Sequence, residues 1–196
     1  MNLKKILIII TLYVLSFNGA YCLEPDIFVQ STVNRASQIL SENISKEEKI
    51  KQLKSIAKET VDIKGVGFYS LGSVRKKLND DQISKYSELF ESYFLKSFSS
   101  RLAEYTNPEI DVKDKEKLNE NYTIVKSVLK ATNERPEINI DWRIYTKDPD
   151  NPLIRDLIIE GLSLARTQKE EFASVLNSNE NNIIALFNVL KEFSQN

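Results

Sequence analysis

Histidine is absent from all 196 residues, and cysteine occurs once, as Cys22. Without imidazole and with a single thiol, the common zinc sites, Ser-His and Cys-His nucleophile pairs and disulfide frameworks are excluded. Charge of one sign is also missing in excess: Lys+Arg 27 stands against Asp+Glu 28. A protein that grips nucleic acid needs a strong basic surplus on one face, so that class is set aside. Five glycines and five prolines leave no collagen-like or low-complexity tract. What remains is 41% hydrophobic and 28% charged, enough for one domain with a real core.

The first 22 residues read as an address. The Lys4-Lys5 pair precedes the apolar run Ile6 to Phe17, and small or polar residues follow, from Asn18 to Cys22. That is the three-part plan of a secretory signal, and its apolar run falls short of the ~20 residues that span a bilayer. Residues 1–22 are therefore expected to be removed, leaving residues 23–196 as a single domain. Losing two lysines takes the net charge from −1 to −3. The expected product is a soluble, mildly acidic, exported protein held together by its core alone.

Helical periodicity dominates the first half. It predicts helices over about 26–42 and from Ser45, with its capping partner Glu48, to about Val61. Gly65-x-Gly67 reads as a turn, followed by a short helical piece from about Tyr69 to Leu78. The longest helix is expected over about 81–105, with Ile83, Tyr86, Leu89, Phe90, Tyr93, Phe94, Phe98, Leu102 and Tyr105 on a wide apolar arc. So wide an arc must be covered on more than one side or face an apolar ligand. Past Asn107-Pro108 the period changes to that of strands: a short one at Ile110 to Lys113, then Tyr122 to Ala131, Ile138 to Tyr145, and Leu153 to about Glu160 behind the turn sequence Asp148-Pro149-Asp150-Asn151. Two helices, about 162–176 and 183–193, close the chain. The fold class is α+β: helices, then an antiparallel sheet, then helices over it.

Catalytic patterns are thin. Ser-x-x-Lys occurs at Ser55, Ser73 and Ser127 without the companion motifs of serine-lysine acylases. Asp141, Asp156 and Glu160 on neighbouring strands supply carboxylates for acid-base work, with Arg143 and Arg155 as the ordinary partners of such groups. Gly65-x-Gly67 lacks the third glycine and the preceding strand of a dinucleotide loop.

The run Asp156-Leu157-Ile158-Ile159-Glu160-Gly161-Leu162-Ser163-Leu164, with Thr167-Gln168 and Glu171-Phe172 after it, resembles the signature of the MlaC or toluene-tolerance family. These are periplasmic lipid-binding components of the bacterial pathway that maintains outer-membrane lipid asymmetry. Leu71-Gly72, the helix from Gln82 to Tyr105, Asp141-Trp142-Arg143 and the closing Ile183-Ile184 to Leu190 agree in order. Two positions depart: Pro152 stands where members often carry tryptophan, and Asn181-Asn182 where they often carry glycine.

The resemblance implies a curved antiparallel sheet of the NTF2/cystatin-like kind, closed by helices around an apolar pocket. It implies a non-enzymatic phospholipid shuttle with no cofactor and no metal site. Its partners would be an inner-membrane ABC transporter complex with a lipid-binding ring and an outer-membrane lipoprotein-porin complex. Shielding two chains of about 15 carbons at ~0.8 kcal/mol per methylene amounts to on the order of 20 kcal/mol, which demands an internal slot. Phe90, Phe94, Phe98, Trp142, Leu157, Ile159 and Phe172 are the expected lining; Arg75, Arg143 and Arg155 are the candidates to meet a phosphate at the mouth. The competing classes are a carboxylate-dependent enzyme on a similar NTF2-like sheet and a non-catalytic periplasmic interaction module with a filled core.

Overall fold

The computed structural model describes residues 23–133 and 135–195. The expected leader, residues 1–22, lies outside the described residues. Helix α1 (Pro25–Ser41) starts at a proline, whose missing N–H costs nothing in a first turn. Helix α2 (Lys46–Thr60) is capped by Ser45, whose hydroxyl accepts from the Glu48 amide.

Helix α3 (Ile63–Leu71) corrects the reading of Gly65-x-Gly67 as a turn. The Asp62 carboxylate accepts from the Gly65 amide at 2.8 Å and nucleates a helix straight through both glycines. Gly72, at φ +61°, ends it, and a 3₁₀ turn continues over Gly72–Lys77 in place of the expected helical piece.

Helix α4 (Asp80–Leu102) carries a full capping box between Asn79 and Gln82. The helix stops three residues before the expected end. Along it Tyr86, Phe90, Phe94 and Phe98 stack in turn, with centroids 5.7, 6.1 and 5.6 Å apart.

The sheet is an antiparallel meander in the order β1 (Ile110–Asn119), β2 (Tyr122–Leu129), β3 (Ile138–Tyr145), β4 (Leu153–Ile159), β5 (Leu162–Ser163). β1 runs well beyond the expected Lys113. Its distal half is exposed and charged, so no apolar alternation marks it. β5 was unforeseen, being two residues long. It is joined to β4 by Glu160 and Gly161, both at positive φ (49° and 81°), the backbone of a tight two-residue hairpin. On β3 the alternation holds as read: Ile140, Trp142 and Ile144 are buried, and Asn139 is exposed.

Helices α5 (Leu164–Asn177) and α6 (Ile183–Gln195) close the molecule. Asn181 turns the chain between them at φ 60°, doing there what glycine would. Helix α4 packs between α2, α3 and α6, while α5 lies along α3 and touches β4. One continuous core joins Phe28, Val29 and Val33 of α1 to Phe90 of α4, Val125 and Trp142 of the sheet, and Leu186 and Leu190 of α6.

Candidate functional site: an apolar slot between sheet and helices

Two cavities adjoin between helix α4 and the sheet. The first, about 220 Å³, is walled by Phe90, Tyr93, Phe94 and Phe98 of α4, Trp142, Ile154 and Leu157 of the sheet, and Leu164, Ala165, Thr167 and Gln168 of α5. The second, about 140 Å³, lies deeper under α1 and α2, against Val33, Leu40, Leu53, Leu129, Ile140 and Ile159. Val61, Phe98, Trp142, Ile154 and Leu157 belong to both walls. They form a side-chain partition between two lobes of one slot.

The sheet side of this partition depends on an irregularity. In a regular strand, Ile154 and Leu157, three apart, point to opposite faces. Arg143 pairs with Asp156 and Ile144 with Ile154, so Arg155 is an extra residue on β4, a bulge that lets both side chains reach the same slot. Trp142 is fixed by donating its indole N–H to Ser127 Oγ at 2.8 Å, and that hydroxyl donates on to the Ile140 carbonyl at 3.0 Å. A large apolar ring is thereby held in one orientation with its polar atom satisfied.

Of the seven apolar residues expected to line the slot, Phe90, Phe94, Phe98, Trp142 and Leu157 meet in the first lobe, and Ile159 stands in the second. Phe172 sits one layer back, edge-on to Phe90 at 6.1 Å and 3% exposed.

The three arginines are scattered. Arg155 touches the first lobe, but its Nε and Nη2 hold Asp62 at 2.6 Å, its Nη1 holds the Tyr122 hydroxyl at 2.6 Å, and its guanidinium lies 3.6 Å from the centre of the Tyr145 ring. Asp62 also caps α3, so this arginine ties helix to sheet. Arg143 lies 3.7 Å from the buried Asp156 carboxylate and outside both linings. Arg75 is exposed on the 3₁₀ turn, over the Phe68 ring at 5.2 Å.

Sequence reasoning missed the polar rim. Ser97, Arg101, Thr167, Gln168 and Glu171 edge the first lobe. Gln168 accepts from the Tyr93 hydroxyl at 2.9 Å and donates to Glu171 at 3.0 Å, while Arg101 is exposed. Burial lifts the Tyr93 phenol above its ordinary range; the Gln168 bond opposes this, the Glu171 charge adds to it, and the Arg101 charge counters it. Helical arithmetic contained the signal for Arg101: it lies three and seven residues beyond Phe98 and Phe94, on the same face.

Two of the three carboxylates are occupied by structure, and the third lies off the slot's face. Asp156 accepts from Ser163 Oγ at 2.6 Å and from the Ala165 amide at 2.9 Å at the start of α5. Glu160 accepts from the backbone and side chain of Asn139. Asp141 lies across from Ile158 on the far side of the ladder from Trp142.

The chain matches the MlaC protein family over residues 30–192. It belongs to the MlaC family. This span covers all but the first turn of α1 and the last residues of α6, so both lobes and the rim lie within the family match. No curated protein matches the chain. Among solved structures, a phospholipid-binding protein from Ralstonia solanacearum, in complex with a phospholipid, is similar to this MlaC-family chain at a TM-score of 0.74. The two are 18% identical, with 88% of this chain and 97% of that one covered, and they share the fold. Among the described residues, no helix is long and apolar enough to cross a membrane.

Proposed function

We propose that this protein is a soluble periplasmic carrier of phospholipid and not an enzyme. The observation that carries the reading is the two-lobed apolar slot in a chain of the MlaC family, whose solved relative was found with a phospholipid. A diacyl lipid places one chain in each lobe, and the partition of Phe98, Trp142 and Leu157 fits between them. Each lobe is smaller than the ~300–1,000 Å³ of ligand sites, so the cargo widens the slot by turning half-buried side chains such as Phe94 and Phe98. The head group stays at the rim, where Arg101 and Gln168 meet its phosphate by charge-assisted and neutral hydrogen bonds. Arg155, with its donors committed to Asp62 and Tyr122, serves the fold.

Residues 1–22 direct export and are removed. The carrier then exchanges lipid between an inner-membrane ABC transporter complex with a lipid-binding ring and an outer-membrane lipoprotein-porin complex. No cofactor takes part. The test is native mass spectrometry and lipid extraction of protein purified from a bacterium. One diacyl phospholipid per chain is expected, and Phe94→Asp, a half-buried site, should lower that occupancy at least fivefold with the circular dichroism spectrum unchanged. Lipid-free protein from a lipid-rich host overturns the reading.

A further inference from the structure

Away from the slot's lining, α3, the 3₁₀ turn and α5 bring together cations that have no acidic partner. Lys64 Nζ and the Arg75 guanidinium lie over the same Phe68 ring, at 5.6 and 5.2 Å from its centre. Lys169 Nζ lies 5.1 Å from the centre of the Tyr69 ring, and its Cε packs beside Gly72. Lys76 and Lys77 continue the row, and all five cations are exposed. Neighbouring cations are neutralised: Lys58 by Glu91, Lys85 by Glu88, Arg166 by Glu170. The carboxylates closest in sequence are engaged elsewhere, Asp62 with Arg155, Glu170 with Arg166 and Glu171 with Gln168, while Asp80 and Asp81 stand in the first turn of α4, where its dipole favours them. None of the five cations has a carboxylate within 4 Å among the described residues.

Two like charges sharing one ring repel each other, and a protein with an overall acidic excess has carboxylates with which to relieve them. Leaving five cations unrelieved, three of them over two aromatic rings, fits an external polyanion. We infer that this face docks the protein onto an anionic membrane surface. A membrane fits better than an acidic protein because Tyr69 is 46% exposed among the cations, an amphipathic ring suited to head-group depth. The position suits delivery as well: α3 contributes Val66 to the first lobe, and Lys169 follows the rim residues Thr167 and Gln168 directly in sequence. Contact through this face sets the mouth of the slot beside the bilayer.

Each cation near such a surface strengthens binding about fivefold. The purified protein should therefore sediment with vesicles of phosphatidylglycerol and phosphatidylcholine at least tenfold more strongly than with phosphatidylcholine alone, and lose this preference as salt rises. The triple variant K64E/K76E/K77E should abolish the preference with an unchanged circular dichroism spectrum, and Tyr69→Ser should weaken it several-fold. Equal binding to both vesicle types, no vesicle binding at all, or a preference intact in the folded triple variant overturns the inference. The lipid carried by the same triple variant is measured separately. Normal cargo with no vesicle preference in the wild type sinks this inference and leaves the carrier reading, and vesicle preference without cargo does the reverse.

Discussion

Gly67 sits in the middle of α3, where a residue without a side chain normally weakens a helix. Its value is proximity: a Cβ there would come within 2.7 Å of the Phe90 ring, and its carbonyl accepts from the buried Tyr86 hydroxyl at 2.9 Å. Gly67→Ala therefore has a gain of ~1 kcal/mol in helix propensity set against ~1–3 kcal/mol of overpacking on a ring that cannot move aside. A net loss of about 1 kcal/mol is expected, read as a lower urea midpoint at unchanged slope. Phe90, Phe94 and Phe98 were legible as one wall because spacing of four on a helix is face-preserving whatever surrounds it. Arg101 was not picked out from the same face, since a lone surface arginine carries no pattern until an opening lies beside it. The arginines that were picked out, Arg143, Arg155 and Arg75, have their guanidinium groups near Asp156, Asp62 and Phe68, partners 13, 93 and 7 residues away in the chain respectively.

At the scale of elements, the Asp-x-x-x-Glu-Gly-x-Ser segment works as a clip. Glu160 and Gly161 reverse the chain, Ser163 caps α5 by accepting from the Arg166 amide at 3.0 Å, and Asp156 holds Ser163 and Ala165 from the neighbouring strand. This fixes where α5 begins and so where Leu164, Thr167 and Gln168 meet the slot. Asp156→Asn replaces one acceptor oxygen by a donor facing groups that need an acceptor, at ~1–3 kcal/mol. The expected outcome is a lower melting temperature together with reduced co-purified lipid, measured on the same preparation. The whole of this clip was recognisable in the sequence as a signature, but its mechanical role was not, because it needs β4 and β5 paired. The reading of Gly65-x-Gly67 as a turn failed for a related reason: composition marks glycine as a breaker, and only the Asp62 cap and the packing of Phe90 show why a helix tolerates it there.

For the whole molecule, the missing histidine has a thermodynamic consequence. No side chain with an ordinary value between 5 and 8 is present to titrate, so stability should be nearly flat across that range. On the acid side, the Lys115 hydrogen bond holds the Asp26 carboxyl below its ordinary 3.8. Its small contribution is complete above pH 3.8 and fades as pH falls through the lower folded value. On the alkaline side, burial raises the phenols of Tyr86 and Tyr93 above 10.0. The unfolded chain then sheds protons that the folded one keeps, so stability present below pH 10 is lost as pH climbs past it. Urea midpoints from pH 3 to 11 should show a plateau with an alkaline fall, and Tyr93→Phe should make that fall shallower. The sequence by itself determined the element order, the α+β class, the aromatic wall of α4 and the alternating face of β3, since these follow from periodicity within one segment. Whether that wall faced packed neighbours or open space, which strand residues shared it through the β4 bulge, and that Arg101 edged the rim were decided only by tertiary structure. Those properties belong to the gaps between segments, and pairing across 93 residues, as between Asp62 and Arg155, leaves no local trace in the chain.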